Sequence, residues 1–197
     1  MYRQAVNTLL SEVEETEQFF RAGIIAIDIT EANPFTGDRT GHEDEIIGTK
    51  EKTDEYAYQW ATIQLVGNAV PIVLDVRPVR KGESRLEIVK DLLDSTEEMV
   101  HVDNVLMDRE FDSQHVLEML SQRGLSYVVP KRMQTSEKAQ AKRLLRRDQD
   151  RYETDRKLHL GKNEWHETTL IYRRKEDSEH DDHRQYSVFM TNCGSGH

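Results

Sequence analysis

Residues 24–30 read Ile24-Ile25-Ala26-Ile27-Asp28-Ile29-Thr30. The run is short, rich in β-branched residues and apolar on both faces except for Asp28, which predicts a buried strand. A carboxylate inside such a strand is expensive, because once buried it must be paired, protonated or bound to a cation. Asp28 therefore marks both the middle of a sheet and a candidate site.

The neighbouring segments build outward from this strand. Upstream, residues 3–20 read as a loosely amphipathic helix with Ala5, Leu9, Val13 and Phe20 on one side, ended by Gly23. Downstream, residues 31–55 are polar and contain Asn33-Pro34 and three glycines, a loop signature. Tyr56 to Val66 and Val70 to Val76 are strand-like and flank Gly67-Asn68, so they predict an antiparallel hairpin. Ser84 with Glu87 forms a capping box before a helix whose apolar stripe is Leu86, Val89, Leu92 and Leu93. Val102 to Met107 is again strand-like and ends on Asp108. A second helix follows, with Ser113 at its start, Val116, Leu117 and Leu120 inside and Gly124 at its end. Leu125 to Val129 is a short strand stopped by Pro130.

Strand, hairpin, helix, strand, helix, strand is an α/β order, with crossover helices implying partly parallel pairing. The organisation expected is an N-terminal helix over 1–22, a core over 23–130, and a charged region over 131–197. In the last, Glu167 to Tyr172 and Tyr186 to Thr191 are strand-like and Arg173 to Arg184 is a charged loop.

Composition sets the bounds. The 197 residues suffice for one domain with a sizeable core. No apolar run approaches the roughly 20 residues that span a bilayer, and the first 20 residues lack signal-peptide order, so a cytoplasmic protein is the default. Cys193 is the only cysteine, which excludes an intrachain disulfide and a Cys-rich zinc site. The net charge of -10 counts against nucleic acid as a partner, since DNA binding uses Lys and Arg to displace counterions. Yet the acids are spread along the whole chain, and Arg outnumbers Lys by 17 to 10. Net charge says little about one local groove.

Asp28, mid-strand, and Asp108, at a strand end, lie 80 positions apart but on strands that could be neighbours in one sheet. Two carboxylates with a third acid suit Mg2+ or Mn2+, hard ions that prefer oxygen ligands. A pair of such ions can activate the attacking oxygen and stabilise the leaving oxygen of a phosphodiester. Against this, a strand-end Asp often caps the following turn, and for Asp108 both readings stand.

Three motifs occur in order: Ala26-Ile27-Asp28-Ile29-Thr30, Tyr56-Ala57-Tyr58-Gln59-Trp60-Ala61-Thr62, and Val105-Leu106-Met107-Asp108-Arg109-Glu110-Phe111. With Val188-Phe189-Met190-Thr191-Asn192 near the end, they resemble the DDE transposases of bacterial and archaeal insertion sequences. The acidic, Arg-rich composition is similar to haloarchaeal members. The resemblance implies an RNase H-like mixed sheet flanked by helices, with a charged insertion and extra strands after residue 130. It also implies divalent metal, DNA as partner, and strand cleavage followed by transfer to a target. It carries the first two catalytic, metal-binding acids onto Asp28 and Asp108, and leaves room for a homodimer. The family's third acid, a Glu within a Tyr-Arg-Glu-Lys pattern on a helix after the last strand, has no match. Glu164, Glu167 and Glu176 are weak substitutes. The expectation is a C-terminally truncated chain, inactive alone.

Residues 131–147 hold seven basic residues against one acid, Glu137. As a helix the segment would offer Lys138, Lys142, Arg143, Arg146 and Arg147 to phosphates, with Lys131 and Arg132 before it. The competing reading is a solvated face paired with neighbouring acids. Arg109 and Glu110 could position DNA or form a surface ion pair. His180-Asp181-Asp182-His183 has metal-ligand spacing but lies in a charged loop. His42, His159 and His166 carry no specific signal, and Trp60 and Trp165 are expected to pack in the core rather than stack on bases. Beside transposition stand two rival functions: an RNase H-like nuclease using the same acids, and a non-catalytic DNA-binding or dimerising fragment.

Overall fold

A computed structural model describes residues 2–14, 22–49, 55–68, 70–161 and 164–193. The predicted helix over 3–20 appears as α1, Tyr2–Glu14, and its second part lies outside the described residues. The chain divides into two compact units, Met1–Val105 and Leu106–His197.

The first unit holds β1 (Ala22–Glu31), β2 (Ile46–Gly48), β3 (Tyr56–Val66), β4 (Ile72–Pro78), α2 (Arg85–Thr96) and most of β5 (His101–Met107). Its strands are ordered β2-β3-β1-β5, with β4 on β3. β3 and β4 form the expected antiparallel hairpin. Gly67 sits in its turn at φ 91, a conformation that a side chain would strain. The capping box of α2 forms as read: Ser84 Oγ accepts the Glu87 N–H, and Glu87 Oε2 accepts the Ser84 N–H. Ile88, Val89, Leu92 and Leu93 are buried, and the helix packs against β3 and β4. β2 corrects the reading of 31–55 as loop; three residues are too few for a periodic signal.

β1 also differs from expectation. Ile25, Ile27 and Ile29 are buried, whereas Ile24 is 36% exposed and Asp28 is exposed. The strand is packed on one face only, and its side-chain period of two puts Asp28 on the other. β3 repeats the pattern: Ala57, Gln59, Ala61, Ile63 and Leu65 are buried, and Trp60 between them is 40% exposed. Trp60 is therefore not a core residue.

The second unit holds α3 (Gln114–Gln122), β6 (Ser126–Pro130), α4 (Thr135–Arg146), β7 (Arg151–Gly161), β8 (Glu164–Arg174) and β9 (Tyr186–Thr191). Its strands are ordered β6-β9-β8-β7, with β6–β9, β9–β8 and β8–β7 all antiparallel. Ser113 takes the N-cap position of α3 without a side-chain cap bond. The sequence RYETDRKLHLG of β7 has no buried residue, which is why no apolar pattern announced it. A charged edge strand of this kind discourages pairing with other chains. Trp165, expected to pack, is 55% exposed and meets His159 edge-on.

The core of this unit contains a polar chain. Thr168 Oγ1 donates to the Thr191 carbonyl at 3.1 Å, and Tyr127 Oη donates to Thr168 Oγ1 at 2.8 Å. His166 joins through Nε2 at 2.7 Å from Tyr127 Oη, and its Nδ1 lies 2.6 Å from Glu118 Oε2. The chain ties β6, β8, β9 and α3 together. Asn192 adds a second tie, accepting from the Tyr127 N–H and donating to the Leu125 carbonyl.

Tyr127→Phe leaves His166 and Thr168 short of a partner, so urea denaturation at neutral pH should show a loss of about 1–3 kcal/mol. Burial holds the phenols of Tyr127 and Tyr172 up at about 12. Between about pH 10 and 12 the unfolded chain therefore releases protons that the folded chain keeps, and stability falls as pH rises through that window. The fall should be shallower in Tyr127→Phe.

Candidate functional site

Asp28 is paired in register with Thr62 of β3, and Thr30 beside it is paired with Trp60. Thr30 Oγ1 approaches Asp28 Oδ2 at 3.5 Å, too long to hold the carboxylate firmly. The surrounding sheet face offers Ala26, Thr62 and Gln64, all part-exposed. The carboxylate is thus open to solvent and to a ligand.

Asp108 follows β5 by one residue and is exposed. Its Oδ1 accepts the Arg109 N–H at 2.6 Å, capping the 3-10 turn Arg109–Phe111. Phe111 is fully buried and anchors that turn. The motif Asp-Arg-Glu-Phe therefore has a local logic: the first residue caps and the last packs. The capping role weighed at sequence level is real, but it occupies only one of the carboxylate's several lone-pair sites.

Oxygen donors of this kind fit a hard divalent ion. Among the described residues no three His, Cys, Asp or Glu side chains come together as a metal-holding group. Of the substitutes for the third acid, Glu167 is bound to Lys157 at 2.8 Å and its carboxyl is held below the usual range by that bond. Glu176 stands 3.9 Å from Arg173. In the His180–His183 segment, Asp182 caps the turn that follows, accepting from the Arg184 N–H at 2.9 Å. The Arg184 guanidinium beside it holds its carboxyl down at about 2. That segment is a turn cap and not a metal cluster.

The basic segment does form a helix, α4. Gln134 N–H and Ser136 Oγ both donate to Glu137, which is buried. Burial alone would raise the Glu137 carboxyl, yet these bonds and the Lys131 charge outweigh it and leave it lowered. Ala141 and Leu144 are the other buried positions. Lys138, Lys142 and Arg146 follow one another at i, i+4, i+8 on the exposed side, with Arg143 and Arg147 also exposed. None of these five forms an ion pair among the described residues, nor do Arg132 and Arg109. Lys131 differs: its ammonium lies 3.2 Å from Asp112 and is largely covered.

The fold is a transposase fold, similar to that in a piggyBac transposase synaptic complex with hairpin DNA. The TM-score is 0.51 at 14% identity, covering 88% of this chain and 34% of that one. The chain belongs to the transposase DDE domain family, whose model matches residues 21–189. A Drosophila P element transposase strand transfer complex aligns more weakly, with a TM-score of 0.29 at 9% identity, over 60% of this chain and 25% of that one. No curated protein matches the chain. No helix among the described residues is long and apolar enough to cross a membrane.

Because Asp28 is exposed and loosely held, Asp28→Asn should leave urea stability within about 0.5 kcal/mol of the parent. Asp108→Ala removes a cap and should cost about 1 kcal/mol. A large loss at Asp28 would mean that its carboxylate is structural.

Proposed function

We propose that the chain is the metal- and DNA-handling part of a DDE transposase, acting in DNA transposition. Asp28 and Asp108 are the two acids that hold Mg2+ or Mn2+, and α4 grips the DNA backbone. One observation carries the reading: within a chain of this family, Asp28 on β1 and Asp108 just after β5 are both exposed carboxylates.

When bound, the metal supplies activation of the attacking oxygen and stabilisation of the leaving one. The residues themselves do simpler things. Asp108 is held by its bond to the Arg109 N–H, which fixes the orientation of its free oxygen. Arg109 is exposed beside it and can meet a phosphate. Lys138, Lys142, Arg143, Arg146 and Arg147 project without acidic partners and meet the strand backbone, with Arg132 before them. Lys131 contributes mainly by holding Asp112.

Mn2+ binding followed by electron paramagnetic resonance tests the acids. The parent chain should bind, and Asp28→Asn and Asp108→Asn should each weaken binding about tenfold or more; unchanged binding in both would sink the metal reading. Duplex DNA binding tests the helix. Lys138→Gln/Lys142→Gln/Arg146→Gln should lower the slope of log affinity against log salt by about 3. An unaltered slope would remove α4 from the interface. Analysis of joined against hydrolysed products separates strand transfer from plain nuclease action.

A further inference from the structure

The second unit carries a cavity that neither the two acids nor α4 uses. Phe189 of β9 is in register with Ile171 of β8 and with Pro130 of β6, and Val128 of β6 is in register with Thr191 of β9. Val128, Ile171 and Phe189 therefore lie on one face of the sheet, half-buried, while Tyr127, Leu170 and Met190 are buried on the other. They floor an open cavity of about 860 Å³.

The rim of this cavity is basic in a chain that is acidic overall. Arg151, Arg173, Arg174 and Lys175 line it against Asp150 and Glu176. Arg174 is committed, donating to Asp148 at 2.7 Å and to Gln185 at 2.8 Å. The others are not. Arg151 and Arg173 are direct cross-strand partners, an arrangement of like charges that destabilises a sheet unless something neutralises it. Arg151 is bonded to the part-buried Glu153, donating through Nε at 2.9 Å, whereas the Arg173–Glu176 pair is exposed on both sides and 3.9 Å long. Exposed pairs are weak and exchange readily for a better anion. The Lys175 ammonium has no ion pair among the described residues.

A ligand that fits has anionic groups for the rim and a flat apolar face for Phe189. A nucleotide unit has both, and the cavity volume is in the range of about 300–1,000 Å³ that holds such ligands. A duplex does not fit, because its bases are stacked inside and cannot reach the floor. We propose that this cavity binds an unpaired segment of a single DNA strand, with phosphates at Arg151, Arg173 and Lys175 and a base against Phe189. The proposal rests on the DNA-handling reading of the chain but not on α4, which contributes no lining residue.

Fluorescence anisotropy with a labelled oligo(dT) of about 12 nucleotides tests it, alongside a labelled mixed-sequence duplex. Arg151→Gln/Arg173→Gln/Lys175→Gln alters exposed side chains only and should lower the salt slope for oligo(dT) by about 2. Phe189→Leu keeps the floor apolar but removes the stacking ring, and should weaken oligo(dT) binding at least about fivefold. Circular dichroism checks that each variant folds, and the triple variant answers the question alone if Phe189→Leu does not. Duplex binding should be unchanged by both. The proposal is overturned if the parent chain does not bind oligo(dT), if the folded variants bind it as the parent does, or if duplex binding falls equally. If the α4 substitutions leave duplex binding intact while the cavity variants lose oligo(dT), the α4 reading fails and the cavity stands.

Discussion

The strands β1 and β3 are packed on one face only. In β1 and β3 alternate residues enter the core: Ile25, Ile27 and Ile29 on one strand, Ala57, Gln59, Ala61, Ile63 and Leu65 on the other. Burying each large aliphatic side chain contributes about 1.5–3 kcal/mol, so the register cannot slip by one residue without turning that whole set outward. That constraint fixes Asp28, Thr30, Trp60 and Thr62 on the opposite face. The same alternation in β8 and β9 sends Leu170, Tyr172, Val188 and Met190 inward and leaves Ile171 and Phe189 part-open. Both candidate surfaces are thus by-products of how the core is filled.

The legible parts of the sequence were those where local chemistry and global packing agree. Ser84 and Glu87 announce α2 because a capping box is a contact between near neighbours. The hairpin β3–β4 was legible from its turn and its β-branched flanks, and α4 as a helix that would present Lys138, Lys142, Arg143, Arg146 and Arg147. The parts missed depend on distant partners. β7 is charged throughout and is a strand because β8 offers it a long ladder. His166 carried no signal by itself, yet Tyr127 and Glu118, far away in sequence, make it the centre of a buried polar chain. Trp60 and Trp165 were misplaced for the opposite reason. Their size suggests burial, but each falls on the outward beat of its strand.

The second unit holds polar groups in two different ways. Inside, Thr168, Tyr127, His166 and Glu118 satisfy one another in sequence, and Asn192 closes the neighbouring backbone. A buried network stabilises only when every member has its partner, and each of these four side chains has one. Outside, on α4, Lys138, Lys142, Arg143, Arg146 and Arg147 stand exposed with no ion pair among the described residues, while around the cavity floored by Phe189 Arg174 and Arg151 are paired with acids and Lys175 is not.

The exposure of Asp28 changes the reason for regarding it as a metal ligand. A buried lone carboxylate argues for a cation through its own cost, since without one it would take up a proton. An exposed carboxylate carries no such cost and makes no such demand. It does leave its oxygens open to water, which suits Mg2+: the ion gives up water reluctantly and prefers sites where several waters stay. A sheet face with Thr30 and Thr62 beside the carboxylate and solvent above it meets that requirement better than a sealed pocket would. Asp108, held by one backbone N–H and otherwise open, meets it in the same way. Both carboxylates are therefore exposed side chains rather than charges trapped in a core.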